Sequence, residues 1–406
     1  MEKPLFKRMS PPMLTRTIRG LSLVELMVAL VLGMLVIAGV LQLFGGSKLA
    51  YQSNQALARV QENGRFSMEI LKREMREAGT HGFCAAQLNV NNHLRSGCAN
   101  HVDSIFDANR AIVGWEYVGT GRGESFDDIE EESDLSPAGQ PRGAWRSTFL
   151  DAGAVLQIDL PEFLANRVVP GSDVIVMRRL VPVPGVTGAT PPPPNNPNSA
   201  SINLSGNHGL EQNEIILVTN CTTGADLFQN RSNANANVLS SGTGNCSNPG
   251  PGNDNSVNWS TSYDDTMQIF RVQIIAYYVG YNAARGEPGL YRATLSRGTA
   301  DANVVHEELV EGVETMQLLY GYSRPADQGG DGQTVNDWLA ANEVPNWDFI
   351  ISVRMALVVR SSETDGGDRQ RATFDLVSTT FQSPDDRRLR QQFSATLSLR
   401  NRQLVL

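Results

Sequence analysis

The sequence predicts an α+β protein in which one long N-terminal helix packs on an antiparallel β-sheet head domain with long loop insertions. Three observations support this fold class. An uncharged apolar run, 26–44, is followed by a polar segment that keeps apolar residues at helical spacing. Further along, short segments alternate apolar and polar residues, as strands with one buried face do. Between those segments lie stretches rich in Pro, Asn, Ser and Gly, which are typical of loops.

The apolar run is long enough to cross a membrane. Nineteen uncharged residues in a helix rise about 28 Å, close to the thickness of a hydrocarbon core. Basic residues precede the run and place the N-terminus in the cytoplasm; they are Lys3, Lys7, Arg8, Arg16 and Arg19. A plain membrane anchor explains the length and the orientation. It does not explain Glu25, because a lone carboxylate at the start of a membrane helix is costly and therefore indicates function.

The helix is predicted to continue beyond the membrane as an amphipathic helix that ends near Gly79 or Gly82. Its apolar stripe recurs every three or four residues: Leu57, Val60, Gly64, Leu71, Met75 and Ala78, with Phe66 and Ile70 beside it. This stripe is expected to cover one face of the sheet.

Two segments near the C-terminus show strict alternation and predict strands buried on one face only. The first places Ser352, Arg354 and Arg360 on its polar face. The apolar faces of the two segments consist of Ile351, Val353, Met355, Leu357 and Val359, and of Phe393, Ala395, Leu397 and Leu399. Residues 335–341 are interpreted as a short helix.

The charge of the chain argues against nucleic acid as a partner. The formal net charge is −9, and an acidic domain does not provide a general basic surface for phosphates. A local basic segment near the C-terminus is interpreted as a solvated strand edge; it contains Arg387, Arg388, Arg390, Arg400 and Arg402.

Four cysteines suggest two disulfides, with three possible connectivities. Because they come as two close pairs in loop-rich segments, the favoured pairing is Cys84–Cys98 and Cys221–Cys246. A zinc site is the alternative for the first pair, since the segment provides H-x2-C and C-x2-H spacing; its residues are His81, Cys84, His93, Cys98 and His101.

The acidic segment 327–337 is a weak candidate for calcium. Asp327, Asp331 and Asp337 loosely follow the order of an EF-hand loop, but Gly329 and Trp338 replace two of its ligands. A plain Asp/Gly turn is the alternative, and no metal or cofactor is predicted.

The segment Arg19-Gly20-Leu21-Ser22-Leu23-Val24-Glu25 resembles the prepilin signal of type IV pilins and type II secretion pseudopilins. The resemblance implies cleavage by a prepilin peptidase between Gly20 and Leu21 and N-methylation of Leu21, where the family usually has Phe. Glu25 is then the fifth mature residue. Its expected role is to set the axial register in a filament by pairing with the amine of a neighbouring Leu21, because a buried carboxylate needs a cation. The alternative is that Glu25 only reaches the headgroups.

Later segments resemble the PilW family of minor pilins. They are 57–66, 76–79, 82–84, 309–314, 318–321, 353–360 and 393–402. The resemblance implies a non-enzymatic protein that takes part in priming type IV pilus assembly and in the tip complex, and thereby in adhesion and twitching motility. The implied partners are FimU-, PilV- and PilX-like minor pilins, the major pilin, a tip adhesin and the inner-membrane assembly platform. A J-type pseudopilin of type II secretion is the alternative.

Together these inferences divide the chain into a leader, 1–20, a transmembrane and filament-core helix, 21–48, an amphipathic helical half, 49–79, and a β-rich head, 80–406. The head carries insertions at about 182–207 and 230–258. The expected location is the inner membrane of a Gram-negative bacterium before assembly and the pilus tip afterwards. Motifs of serine hydrolases, P-loop enzymes and zinc proteases are absent from the sequence, so no enzymatic activity is predicted.

Overall fold

The computed structural model describes residues 22–78, 90–95, 105–106, 110–127, 139–151, 153–189, 199–246, 250–254, 256–295, 297, 304–362, 369, 371–377 and 379–399. The chain forms two compact units, Met1–Asn54 and Gln55–Leu406. Both units contain part of one helix, α1, which spans Leu23–Glu77. This confirms the long N-terminal helix expected from the sequence, although α1 ends before Gly79.

In the second unit, α1 buries one face against the head. Val60, Leu71 and Met75 are each no more than 1% exposed and belong to the main hydrophobic core. They are separated by eleven and four residues, so they lie on one side of a helix with 3.6 residues per turn. Two residues that were predicted to be buried are exposed: Leu57 of the stripe is 41% exposed, and Phe66 beside it is 55% exposed.

Nineteen strands are found among the described residues. They are β1 (Val90–Asn92), β2 (Ile112–Tyr117), β3 (Ser125–Asp127), β4 (Trp145–Asp151), β5 (Ala154–Asp159), β6 (Val174–Pro182), β7 (Ser201–Asn203), β8 (Ile215–Thr219), β9 (Ala225–Gln229), β10 (Val238–Ser240), β11 (Gln268–Asn282), β12 (Glu287–Leu295), β13 (Val304–Glu311), β14 (Val313–Tyr322), β15 (Asp337–Leu339), β16 (Ile350–Arg360), β17 (Thr373–Leu376), β18 (Thr379–Gln382) and β19 (Arg390–Ser398).

The largest sheet has ten strands and is organised around β11. Its main path is β1-β9-β8-β11-β6-β2-β4-β5, and β12 and β13 extend it from β11. β11 has fifteen residues, long enough to take two partners on the same edge. Residues 268–271 pair with β8, and residues 274–282 pair with β12. All pairings in this sheet are antiparallel except that of β1 with β9.

A second antiparallel sheet has the order β15-β14-β16-β19. Its β16 carries the alternating pattern seen in the sequence, and Val353, Met355 and Leu357 belong to the main core as expected. The opposite face is also covered, because Ala356 and Val358 pack with Leu376 and Phe381 of the small sheet β17-β18-β3. The prediction of one solvated face was therefore wrong for this half of β16.

The segment 335–341, interpreted as a short helix, contains β15 instead. Leu339 pairs with Tyr320 of β14, so the edge of the second sheet determines its conformation. A 3-10 turn, Ala341–Glu343, follows.

The insertions contribute to a second hydrophobic cluster. Ile202 and Leu239 come from the paired strands β7 and β10, which lie within the predicted insertions. They pack with Trp259 and with residues of β8 and β9 on the face of the large sheet that the main core leaves free. The insertions therefore gain order by packing on the sheet.

Candidate functional site

The start of α1 is formed by a short capping arrangement. The Oγ atom of Ser22 accepts a long hydrogen bond of 3.5 Å from the backbone N–H of Glu25, and the carbonyl of Ser22 accepts one of 3.1 Å from Leu26. Ser22 and Glu25 have the S-x-x-E spacing of a capping box, in which an acidic third residue also favours the positive end of the helix dipole. Glu25 therefore stabilises the start of its own helix, independently of any role in assembly.

The first half of α1 has an unpartnered apolar surface. Every large apolar side chain from Leu23 to Phe44 is between 52% and 77% exposed. Burial of one such side chain contributes about 1.5–3 kcal/mol, so a surface of this length requires lipid or other apolar helices around it. By length and composition, α1 is a helix that can cross a membrane, and the described residues contain no other of that kind.

The second half of α1 is held to the head by a close contact and by ion pairs. A Cβ atom at Gly64 would lie 2.0 Å from the ring of Phe393 in β19, so only glycine fits there. Arg179 of β6 bonds to Glu77 at 3.2 Å and lies 3.9 Å from Glu74. These contacts fix the helix along the sheets at both ends of its buried stripe.

A buried cluster of alternating charges lies where β12, β14, β16 and β19 meet. Glu314, with a side chain 1% exposed, accepts hydrogen bonds from Arg360 at 3.2 Å and from Arg390 at 2.7 Å and 3.0 Å. Arg360 also bonds to Glu287 at 2.8 Å. The outer members extend the chain of charges: Arg388 bonds to Glu287 at 2.7 Å, and Asp386 bonds to Arg390 at 2.6 Å and 2.8 Å.

This charge cluster corrects the interpretation of the C-terminal arginines. Arg390, expected at a solvated edge, is 3% exposed at its side chain, and Arg388 is 18% exposed. Arg360, expected on a polar face, is 5% exposed. This burial has no local signal in the sequence, because the acidic partners Glu287 and Glu314 lie far away along the chain. Three arginines and three carboxylates balance in charge, which lowers the cost of their burial.

Two buried carboxyl groups meet between the two large sheets. Asp173 accepts backbone hydrogen bonds from Tyr117 at 3.2 Å and from Leu318 at 2.8 Å, and shares a hydrogen bond with Glu116. Burial raises the pKa of Asp173 to about 8 and raises the pKa of Glu116 well above its ordinary value. The hydroxyl of Tyr320 is enclosed beside them. Sequence reasoning did not identify this pair.

The predicted processing residues Gly20 and Leu21 lie outside the described residues, as do Cys84, Cys98, His81 and His101. Cys221 lies in the turn between β8 and β9, and Cys246 follows β10; neither is a free thiol. The remaining residue of the zinc hypothesis, His93, is 1% exposed and bonds through Nε2 to Asp226 at 2.7 Å.

Two of the three calcium candidates, Asp331 and Asp337, use their oxygen atoms within the fold. Asp331 accepts hydrogen bonds from the backbone of Gln333 and Thr334 and from the Thr334 hydroxyl. Asp337 forms two hydrogen bonds with Arg324, at 2.9 Å and 3.2 Å. In the described part of the chain, no three His, Cys, Asp or Glu side chains are grouped as a metal site requires.

Comparison with known families gave two matches. Residues 15–41 match the prokaryotic N-terminal methylation motif, and residues 276–401 match type IV pilus-assembly protein W. The first match contains the capping arrangement and most of the exposed apolar helix, and the second contains the whole charge cluster. Neither the curated proteins nor the solved structures gave a significant match. The two matches together support a type IV pilus minor pilin that is similar to the PilW family over its C-terminal third.

Proposed function

We propose that this protein takes part in priming type IV pilus assembly and becomes part of the complex at the pilus tip. The observation that carries the proposal is the uninterrupted exposed apolar surface of α1, which begins at the Ser22–Glu25 capping arrangement within the methylation-motif match. Such a surface is suited first to a bilayer and then to a bundle of apolar helices in a filament.

The proposal includes processing of the N-terminus. A prepilin peptidase is expected to cut between Gly20 and Leu21 and to leave N-methylated Leu21 as the first residue. Removal of the leader takes away a net charge of +4 and leaves a chain of −13. The proposed domain boundaries follow from this cut: a filament-core helix, 21–48, an amphipathic half, 49–79, and the head, 80–406.

In the filament, Glu25 is proposed to set the axial register by pairing with the N-terminal amine of a neighbouring subunit. A carboxylate among packed apolar helices is stabilised only when a cation lies beside it. Glu25 also stabilises the N-terminal end of α1 in its own chain. An experiment must therefore separate the two roles.

The proposed partners are FimU-, PilV- and PilX-like minor pilins, the major pilin, a tip adhesin and the assembly platform in the inner membrane. Adhesion and twitching motility are proposed as consequences of assembly. The proposed orientation places the N-terminus in the cytoplasm of a Gram-negative cell. We propose no catalytic activity, in keeping with the structural role of the family in the pilus.

The first test is the mass of the N-terminal peptide of the protein extracted from its native membrane. A peptide that starts with N-methyl-Leu21 supports processing, whereas an intact Met1 or a cut near Gly46 contradicts the proposal.

The second test compares Glu25→Gln with Glu25→Ala in a strain that lacks the native gene. Gln can still accept a hydrogen bond at the third helix position, as in a capping box, so it removes only the charge. We expect both variants to reach the membrane and both to lose surface pili. If the strain with Glu25→Gln carries as many surface pili as the wild type, Glu25 does not set the axial register through its charge.

A further inference from the structure

A polar pocket of about 520 Å³ lies in the head beside β1 and the turn between β8 and β9. Its volume is within the range of ligand pockets in proteins. The side chains around it are almost all amides and hydroxyls: Asn91, Asn92, Thr223, Asn258 and Ser260. The apolar residue Val90 adds little surface because it is only 7% exposed.

The pocket is supported by one fully buried carboxylate. Asp226 accepts hydrogen bonds from His93 Nε2 at 2.7 Å, the Tyr263 hydroxyl at 2.5 Å, the Ser260 hydroxyl at 2.6 Å and Asn91 Nδ2 at 2.7 Å. A carboxylate has room for about four donors, so this arrangement uses it fully. Two of the donors, Ser260 and Asn91, belong to the pocket wall and are therefore held in place from below.

Asn91 and Asn92 offer complementary groups. Asn91 uses both hydrogens of its Nδ2 atom, toward Asp226 and toward the carbonyl of Asn258 at 2.7 Å. Its Oδ1 atom is left as an acceptor. Asn92 instead uses Oδ1, which accepts the backbone N–H of Leu94 at 3.0 Å. Its Nδ2 atom is left as a donor.

The turn between β8 and β9 brings a hydroxyl close to these amides. A Cβ atom at Gly224 would lie 2.2 Å from the Oγ atom of Ser260, so glycine is needed for this approach. Thr223 is held by hydrogen bonds to Asn220 at 2.5 Å and to Thr261 at 3.2 Å. The result is a fixed ring of neutral donors and acceptors around an open volume.

We infer that this pocket binds a neutral saccharide. Each hydroxyl of a sugar both donates and accepts, which matches alternating amide and hydroxyl groups. None of the described residues that line the pocket is Lys or Arg, and the carboxylate of Asp226 beneath it disfavours anions. An apolar ligand would leave the wall groups without hydrogen bonds, which is costly. This inference does not depend on filament assembly, since the pocket lies within the head.

Binding is expected to be weak, with a dissociation constant on the order of 1 mM, because hydrogen bonds exchanged with water contribute little net affinity. The test is saturation-transfer NMR on the full-length protein in a detergent that has no sugar headgroup. The probes are glucose, galactose, N-acetylglucosamine, lactose and galacturonate. We expect saturation transfer to at least one neutral sugar and weaker transfer to galacturonate than to galactose.

Two variants locate the binding. Asn92→Asp keeps the acceptor for Leu94 and removes the free donor, and Thr223→Val removes a hydroxyl at nearly constant volume. Each is expected to weaken binding by about tenfold or more, as loss of a group paired with the ligand does. Asn63→Ala, at a half-buried asparagine in a different groove, is the matched control and should bind as the wild type does.

Thermal unfolding of each variant shows whether the head remains folded, so that a loss of binding can be assigned to the pocket. Three results would overturn the inference: no transfer to any neutral sugar, tighter binding of galacturonate than of galactose, or wild-type affinity in both pocket variants.

Discussion

The ring of Phe393 in β19 packs directly on Gly64 of α1, at a distance that leaves no room for a Cβ atom. This contact joins the helix to the second sheet. It lies on the same helical face as Val60 and Leu71, which are buried in the main core. The position of the helix along the head therefore depends on the absence of one side chain.

Gly64→Ala should destabilise the head despite the higher helix propensity of alanine. The new methyl group must displace the Phe393 ring, and overpacking of this kind costs about 1–3 kcal/mol. Thermal unfolding by circular dichroism should show a lower Tm, and Phe393→Leu in the same chain should restore part of the loss.

Gly46→Ala is the matched control, because nothing lies within 4 Å of a Cβ atom at that helical position. Its Tm should equal or exceed that of the wild type. Equal stability of Gly64→Ala and Gly46→Ala would show that the Phe393 ring moves aside at no cost.

Glu314→Gln should be strongly destabilising. Glu314 is nearly inaccessible and bonds to both Arg360 and Arg390, so its neutralisation leaves buried positive charge uncompensated. Removal of one partner of a buried ion pair costs about 3–5 kcal/mol. The control is Glu307→Gln, whose 2.7 Å pair with Arg292 is exposed and should contribute less than about 1 kcal/mol. Denaturant unfolding of the two variants under the same conditions measures the difference.

The carboxyl pair Glu116 and Asp173 predicts a decrease of stability with rising pH. The pKa of Asp173 is 3.8 as an ordinary side chain and about 8 when buried. A carboxyl with a raised pKa stabilises the fold fully below pH 4, and this contribution is lost as the pH rises through about 8. The negative charge of Glu343 also opposes the ionisation of Glu116, and the enclosed hydroxyl of Tyr320, whose pKa the two carboxyl groups raise, stays neutral beside them.

Glu116→Gln separates this effect from other titrations, because Gln is permanently neutral and retains an acceptor for the Thr120 hydroxyl. We expect the Tm of this variant relative to wild type to increase between pH 5 and pH 8.5. Glu69→Gln, at an exposed helix position, should follow the wild-type curve. Parallel curves for wild type and Glu116→Gln would mean that the pair does not retain a proton at neutral pH.

Disulfide connectivity is a further prediction that peptide mapping without reduction can check. Cys221 lies in the turn at the Ala225 end of β9. Cys246 follows Gly244, where a Cβ atom would lie 2.7 Å from Gly252, beside Gln229 at the other end of β9.

The spacing of the cysteines in the sequence predicts peptides linked as Cys84–Cys98 and Cys221–Cys246. Peptides that link either of the first two cysteines to either of the last two would contradict this pairing, since three connectivities are possible.

Periodic patterns predicted the main architecture because they report local burial. The spacing of Val60, Leu71 and Met75 predicted the packed face of α1, and alternation predicted the inner face of β16. Patterns failed where a distant segment determines the environment. Arg390 is buried by Glu314, seventy-six residues away, and Ala356 is covered by Leu376 and Phe381 of a small sheet.

The candidate sites show the same division. Glu25 was identifiable from its place in a short motif, because one carboxylate beside an apolar run is unusual at any position. Asp173 and Asp226 stand among ordinary strand and turn residues, and only the assembled fold brings their donors together. These two sites could have been predicted only by someone who knew which strands pair.

The change of partners along β11 has an evolutionary consequence. The part recognisable as the family begins at residue 276, just after β11 exchanges β8 for β12 as its neighbour. One strand thus separates the matched part, which carries the charge cluster, from the part that carries the second hydrophobic cluster. We expect related proteins to differ mainly in the surface of the latter part, since changes there leave the charge cluster intact.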